Sequence, residues 1–111
     1  MSCYIHQDLA AGRWFKMALA DQLGNAGSEV GRAVNWNRRG NIIQRNNALD
    51  RALELLDLTI ADSRWQNRLT EIIRARHLLA DLFYGRNELN TIPEAIEKYF
   101  NYFALAARNG K

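Results

Sequence analysis

Apolar residues recur every three or four positions in four segments of this 111-residue chain, and this spacing predicts four amphipathic helices. The helices are expected over residues 13–39, 41–61, 62–85 and 91–108. Gly40 suits the left-handed backbone after the first helix, Asn41 suits the cap of the second, and Pro93 suits the first turn of the fourth. Whether the first helix is continuous or breaks near Gly24 and Asn25 stays open, because both residues are weak helix formers.

One stripe of each predicted helix is apolar, and the four stripes are expected to meet in one core. They comprise Phe15, Leu19, Leu23, Ala26, Val30, Ala33 and Val34; Ile42, Leu49, Ala52, Leu53, Leu56 and Ile60; Trp65, Leu69, Ile72, Ile73, Leu79, Ala80 and Phe83; and Ile92, Ile96, Tyr99, Phe100, Phe103 and Ala107. Short connections favour antiparallel neighbours. The predicted fold is an all-α, antiparallel up-down four-helix bundle, a single domain over residues 1–111 with a loosely ordered segment at 1–12.

Several small or apolar residues fall outside these stripes and predict a second buried surface. On the back of the first helix lie Ala20, Gly24, Gly27 and Gly31, and on the later helices lie Leu55, Leu58, Leu78, Leu82, Tyr102 and Leu105. Glycine inside a helix costs about 1 kcal/mol relative to alanine, and close approach of another helix would compensate this cost. Ala20, the glycines and the first four leucines are therefore interpreted as a homo-oligomer interface.

Arg76 lies inside the apolar stripe of the third helix, between Ile72 and Leu79. Because arginine is rarely buried without a partner, an ion pair within the bundle is expected. Glu29 on the first helix and Asp57 on the second are the two candidate partners. A buried pair of Glu29 and Arg76 that fixes the packing register is the working hypothesis.

Charge is concentrated in one place. The chain has 15 basic and 12 acidic residues, a net charge of +3, and 12 of the basic residues are arginine. The stretch 33–49 holds three arginines and no acid, so the rest of the chain is neutral. A hydrophobic fraction of 48% supports a packed core and argues against a disordered chain.

Arginine and asparagine cluster at the predicted turn between the first two helices. Arginine binds phosphate bidentately, and an exposed tryptophan stacks on a base. The predicted contacts for RNA or another partner are Arg32, Trp36, Arg38, Arg39 and Arg45, joined by Arg86 from the turn after the third helix. The alternative is a solvated polar turn without a partner.

Catalytic and metal-binding motifs are missing from the sequence. Cys3, His6 and His77 are too few and too far apart for a metal site, and no cofactor motif is present. A lone cysteine favours a cytoplasmic location. The sequence contains no run of 18 apolar residues, so no membrane span is predicted. A non-enzymatic protein is therefore expected.

The segment Asn25-Ala26-Gly27-Ser28-Glu29-Val30-Gly31-Arg32 resembles a family motif, Asn-Ile-Ala-Glu-Gly-x-Gly-Arg. That motif belongs to the small bacterial four-helix proteins encoded in ribosomal-RNA intervening sequences, whose fold the retroelement accessory variability determinants share. Asn25, Gly31 and Arg32 align, whereas Glu29 is displaced by one position and the central glycine is missing. The resemblance covers about a third of the chain. It implies a basic homopentameric bundle that contacts nucleic acid or a nucleic-acid enzyme.

Together these patterns predict a self-associating helical adaptor or binding module that contacts RNA through a basic tip between the first two helices. The alternative is a bundle that interacts only with proteins, through the glycine row and the outer leucines.

Overall fold

A computed structural model describes residues 12–85, 87 and 92–109. These residues form four α-helices: α1 (Leu19–Arg38), α2 (Ile42–Ile60), α3 (Leu69–Phe83) and α4 (Pro93–Arg108). Short 3₁₀ segments, Trp14–Lys16 and Ser63–Arg68, precede α1 and α3. The all-helical class is confirmed for the described part of the chain. Most of the predicted N-terminal segment, residues 1–11, lies outside it.

Helix α1 is the hub of the packing. It contacts both α2 and α4 extensively, whereas α3 packs mainly against α2 and only sparsely against α4. Nine of the twenty residues of α1 are buried, compared with three of the fifteen residues of α3. The first helix is therefore held far more firmly by tertiary contacts than the third.

The predicted apolar stripes are buried or partly buried except at three residues. Leu23, Val30, Leu56, Ile72, Leu79, Ile96 and Phe100 are almost completely buried. Ile42, Ile73 and Ile92 are instead exposed, which contradicts their assignment to the core. Ile42 lies in the first turn of α2, and Ile92 precedes α4. Ile73 is one position past buried Ile72, on a helix that has neighbours over only part of its surface.

The core also contains a tryptophan that the stripes did not include. Trp14 is fully buried, and its indole Nε1 donates to Thr59 Oγ1 at 3.2 Å. Trp14 reaches the core because the chain changes direction before α1. Met17 and Ala18, at this change of direction, adopt extended backbone angles. The predicted helix over 13–39 is therefore interrupted at Met17–Ala18.

Helix α1 is continuous through its glycines, so a break near Gly24 and Asn25 is the wrong alternative. Asn25 Nδ2 donates to the Asp21 carbonyl at 2.8 Å, and Ser28 Oγ donates to the Gly24 carbonyl at 3.0 Å. Both side chains bond one turn back along the same helix. They are therefore accommodated without interrupting it.

The interruption before α1 leaves backbone carbonyls that two polar side chains satisfy. Gln22 Nε2 donates to the Trp14 carbonyl at 2.8 Å, and an Arg64 Nη donates to the Met17 carbonyl at 2.7 Å. The same Gln22 Nε2 donates to Asp62 Oδ2 at 3.0 Å. Gln22 itself is fully buried. These bonds supply the partners that buried polar groups require.

The start of the third helical segment belongs to the same network. Asp62 caps it by accepting from the Arg64 backbone N–H at 3.1 Å. Trp65 then leaves helical geometry, and its indole Nε1 donates to Gln22 Oε1 at 2.9 Å. The predicted helix over 62–85 is consequently divided into a 3₁₀ turn and α3.

Candidate nucleic-acid interface

The predicted basic turn is well defined in the structure. Gly40 adopts φ +72°, the left-handed conformation that ends α1, and Asn41 Oδ1 caps α2 by accepting from the Gln44 N–H at 3.1 Å. The Asn41 N–H donates back to the Trp36 carbonyl at 3.0 Å. We call residues 36–45 the tip. These bonds give the tip a fixed backbone.

Two of the predicted contact arginines are held by carboxylates. Arg38 Nε lies 3.2 Å from Glu94 Oε1 at the start of α4, and Arg32 pairs with Glu29. The backbone N–H of Glu94 and the Arg38 guanidinium hold the pKa of the Glu94 carboxyl below its ordinary value. Much of the positive charge of Arg38 and Arg32 is thus already balanced.

Arg39 and Arg45 contact aromatic rings and amides instead. The Arg39 guanidinium carbon lies 5.3 Å from the centre of the Trp36 ring, within cation–π range. The Arg45 guanidinium carbon lies 5.5 Å from the centre of the Phe83 ring. Within the described part of the chain, neither arginine forms a salt bridge with a carboxylate. These two guanidinium groups carry the unbalanced charge of the tip.

Asparagines fix the position of Arg45. Its Nη1 donates to Asn37 Oδ1 at 3.0 Å, and its Nε donates to Asn46 Oδ1 at 3.2 Å. Amide oxygens orient a guanidinium without cancelling its charge. The arginine is therefore held in place while it remains a cation.

The end of α3 lies beside the tip. Tyr84 donates its hydroxyl to Asp50 Oδ1 at 2.8 Å and to the Asn46 carbonyl at 3.3 Å. Partial burial and the hydrogen bond to Asp50 raise the pKa of Tyr84 to about 12. The phenol is consequently neutral at physiological pH and adds no negative charge to this surface.

Apolar side chains complete the exposed surface of the tip. Ile43 is 75% exposed and Ile42 is 48% exposed, immediately after the capping Asn41. Trp36 is partly buried. The tip therefore combines two unbalanced guanidinium groups with apolar and aromatic surface. Arg86, the remaining predicted contact residue, lies outside the described residues.

The residues predicted to form an oligomer interface have intramolecular roles. Leu55, Leu58 and Ala20 are buried in the chain itself. Leu78 and Leu82 are partly buried against the same core. The three-to-four-residue periodicity placed these leucines outside the apolar stripes, whereas packing within the folded chain buries them fully or partly. Because the chain itself buries or partly buries these leucines and Ala20, they do not require a second buried surface. The oligomeric state stays a prediction.

Two glycines of the predicted interface face α4 of the same chain. A methyl group added at Gly27 would lie 3.6 Å from Phe100 Cβ, and one added at Gly31 would lie 3.0 Å from Glu97 Oε2. A methyl group at Gly24 would meet no atom within 4 Å. Close helix approach, which the sequence suggested between protomers, therefore occurs within the chain at Gly27 and Gly31.

Arg76 pairs with Asp57, so the hypothesis of a buried pair of Glu29 and Arg76 is wrong. The Nε of Arg76 lies 2.6 Å from Asp57 Oδ1, and both side chains are substantially exposed. Buried Glu29 instead accepts from Arg51 Nε at 2.5 Å and from Arg32. Arg76 reaches the surface because a long side chain can carry its charged end out of an apolar stripe.

Sequence reasoning missed the buried polar network around Gln22, Asp62 and Arg64. The Arg64 hydrogen bonds, followed by the bond from Gln22, outweigh burial and lower the pKa of Asp62 to about 2. Gln22 gave no sequence signal, since its partners Trp14, Asp62 and Trp65 come from three separate segments.

The described residues provide no group of three histidine, cysteine, aspartate or glutamate side chains that could hold a metal ion. His77 is exposed, and Cys3 lies outside the described residues. A polar groove of about 540 Å³ lies along the line where α1 and α4 meet and is lined by Gly24, Gly31, Arg38, Glu97 and Asn101, among others. None of the described helices is both long and apolar enough to cross a membrane.

Comparisons with protein-family models, with curated proteins and with solved structures each gave no match to this chain. The resemblance to the proteins of ribosomal-RNA intervening sequences therefore stays a prediction that rests on Asn25, Gly31 and Arg32.

Proposed function

We propose that this chain is a non-enzymatic binding module whose tip contacts nucleic acid through Arg39, Arg45 and Trp36. The observation that carries the proposal is the pair of arginines held by aromatic rings and amides rather than by carboxylates. A guanidinium that is positioned but not neutralised is ready to bind phosphate bidentately. Arg32 and Arg38 have smaller roles in this proposal, because Glu29 and Glu94 already bind them.

The proposed arrangement of the helices is an antiparallel up-down bundle that presents the tip at one end. Pairs between α1 and α4 support it, since Arg38 meets Glu94 near one end and Gly27 approaches Phe100 farther along. The contacts of α2 with α3 follow the same rule. Asp50 meets Tyr84, and Asp57 meets Arg76, so residue numbers rise on one helix as they fall on the other.

Binding of a fluorescently labelled single-stranded RNA tests the role of the tip. The double variant Arg39→Gln/Arg45→Gln removes the two unbalanced charges and is expected to bind about tenfold or more weakly. The matched control, Arg74→Gln/Arg108→Gln, removes two exposed arginines on α3 and α4 away from the tip. It should bind within about twofold of the parent chain if the location of the charge matters more than its total.

Circular dichroism and thermal melting of each variant show whether the fold is retained. If both double variants are folded and lose RNA affinity equally, binding depends on net charge and not on the tip, and the proposal is overturned. No measurable binding by the parent chain at low salt would overturn it as well.

A second candidate is self-association through the outer face of α4. Tyr102 is 72% exposed and Leu105 is 52% exposed, and with Lys98 and Asn101 they surround a shallow depression of about 150 Å³. Burying two such side chains favours association with a second copy of the chain. Light scattering should then give a mass above 12.8 kDa that falls in Tyr102→Ser/Leu105→Ser. A monomeric parent chain would exclude this candidate.

The proposed compartment is the cytoplasm, because the chain has a single cysteine and therefore no internal disulfide.

A further inference from the structure

We infer that the tip prefers unpaired, single-stranded nucleotides to a duplex, because it combines apolar and aromatic side chains with its two unbalanced arginines. This inference rests on the proposed function and specifies the class of nucleic acid. In sequence order Arg39 is followed by exposed Ile42 and Ile43 and then by Arg45, with the Trp36 ring beside Arg39. Charged and apolar residues therefore alternate in sequence over one short stretch.

A duplex offers little to such a surface. Its outside is a double row of phosphates, and its base faces are stacked within the helix. A single strand exposes base faces next to each phosphate, and these faces stack on aromatic rings and on guanidinium planes. The apolar side chains of the tip can therefore gain contact area only from unpaired bases, whereas the arginines bind phosphate in either case.

The aromatic contacts of the arginines strengthen the phosphate contacts that accompany base stacking. Arg39 is held over Trp36 and Arg45 over Phe83, so both guanidinium groups are restrained before a ligand arrives. A restrained planar cation loses less conformational freedom on binding than a free side chain.

The neighbouring groove between α1 and α4 is a poor continuation of this surface. Glu97 lines it, and the two arginines that also line it are paired, Arg38 with Glu94 and Arg32 with Glu29. These carboxylates would repel a phosphate backbone. The contact is therefore confined to the tip, and we expect it to cover only a few nucleotides.

Three probes separate base recognition from charge recognition: a single-stranded oligonucleotide, the duplex that it forms with its complement, and inorganic polyphosphate of similar length. At one salt concentration the single strand is expected to bind about fivefold or more tightly than the duplex, since one stacked base is typically worth about 5- to 150-fold in affinity. Trp36→Leu keeps apolar volume but removes the ring. It should lower single-strand affinity about tenfold and lower duplex and polyphosphate affinities much less, because those two probes lose only the restraint on Arg39.

Tyr102→Leu, which removes an exposed aromatic ring from α4, is the matched control and should leave all three affinities unchanged. Arg39→Lys keeps the charge and loses the planar guanidinium at an exposed position. It should reduce the ratio of single-strand to duplex affinity several-fold while binding polyphosphate normally. Arg39→Lys decides whether the tip prefers single strands if Trp36→Leu does not fold.

Two failures are distinguishable. If single strand and duplex bind the parent chain equally, and both still depend on Arg39 and Arg45, the preference is overturned while the proposed function stands. An unchanged affinity ratio in Trp36→Leu, or in Arg39→Lys where Trp36→Leu is unfolded, also overturns the preference. If no probe binds, or if binding is insensitive to Arg39→Gln/Arg45→Gln, the proposed function itself fails.

Discussion

Asp62 connects separate parts of the chain, and no sequence pattern indicated this role. Its carboxylate accepts from the Arg64 guanidinium, the Arg64 backbone N–H and Gln22 Nε2, while only about 5% of the residue is exposed. Gln22 in turn contacts Trp14 and Trp65. A single carboxylate therefore orients the segments that enter α1 and α3.

Asp62→Asn is expected to destabilise the protein by about 1–3 kcal/mol at pH 7, because an amide satisfies fewer of the surrounding donors. The folded pKa is lowered from 3.8 to about 2, so the ionised group contributes stability above about pH 4 that is lost as the pH falls towards 2. Urea unfolding at several pH values should show the difference between parent and variant shrinking over that range. Exposed Asp21→Asn is the control, and a difference independent of pH would contradict this role of Asp62.

At the scale of single elements, the glycines of α1 differ in what surrounds them. Gly27 and Gly31 face α4, but Gly24 has open space where a side chain would begin. Gly24→Ala should therefore stabilise the chain by about 0.5–1 kcal/mol through helix propensity alone.

Gly40→Ala is the contrasting variant, because φ +72° strains any residue with a β-carbon and should cost about 1–2 kcal/mol. Thermal unfolding of both variants measures the difference. A destabilising Gly24→Ala would mean that the backbone of α1 at this position requires glycine for a reason other than space.

Element prediction succeeded where local spacing decides the structure and failed where distant contacts decide it. Leu23, Val30 and Leu56 are buried as their helical period requires. The interruption at Met17–Ala18 follows instead from the hydrogen bond of Trp14 with Thr59, 45 residues away. No local pattern around residue 17 contains that information.

The candidate site shows the same division. The arginines of residues 33–49 located the tip correctly as a cluster in sequence. Which of them stay unbalanced depends on Glu94, 56 residues from Arg38, and on Phe83 at the end of α3. Sequence therefore predicted where the charge lies but not which guanidinium groups remain available.

At the scale of the whole molecule, stability should be unevenly distributed. Helix α1 packs against two helices and buries nine residues, whereas α3 buries three and hardly contacts α4. Local opening requires less energy where fewer apolar contacts are broken. Amide hydrogen exchange should therefore be fastest in α3 among the four helices and slowest in the middle of α1. Equal protection of α1 and α3 would contradict this distribution.

The salt dependence of binding to single-stranded RNA tests the function of the tip most directly. Each phosphate contact contributes about 0.7 to the slope of log K against log salt concentration. Removing Arg39 and Arg45 together should lower the magnitude of the slope by about 1.4, since the proposal assigns one phosphate contact to each. Arg74→Gln/Arg108→Gln should keep the parent slope. An unchanged slope in the tip variant, or an equal decrease in the control, would contradict binding through the tip.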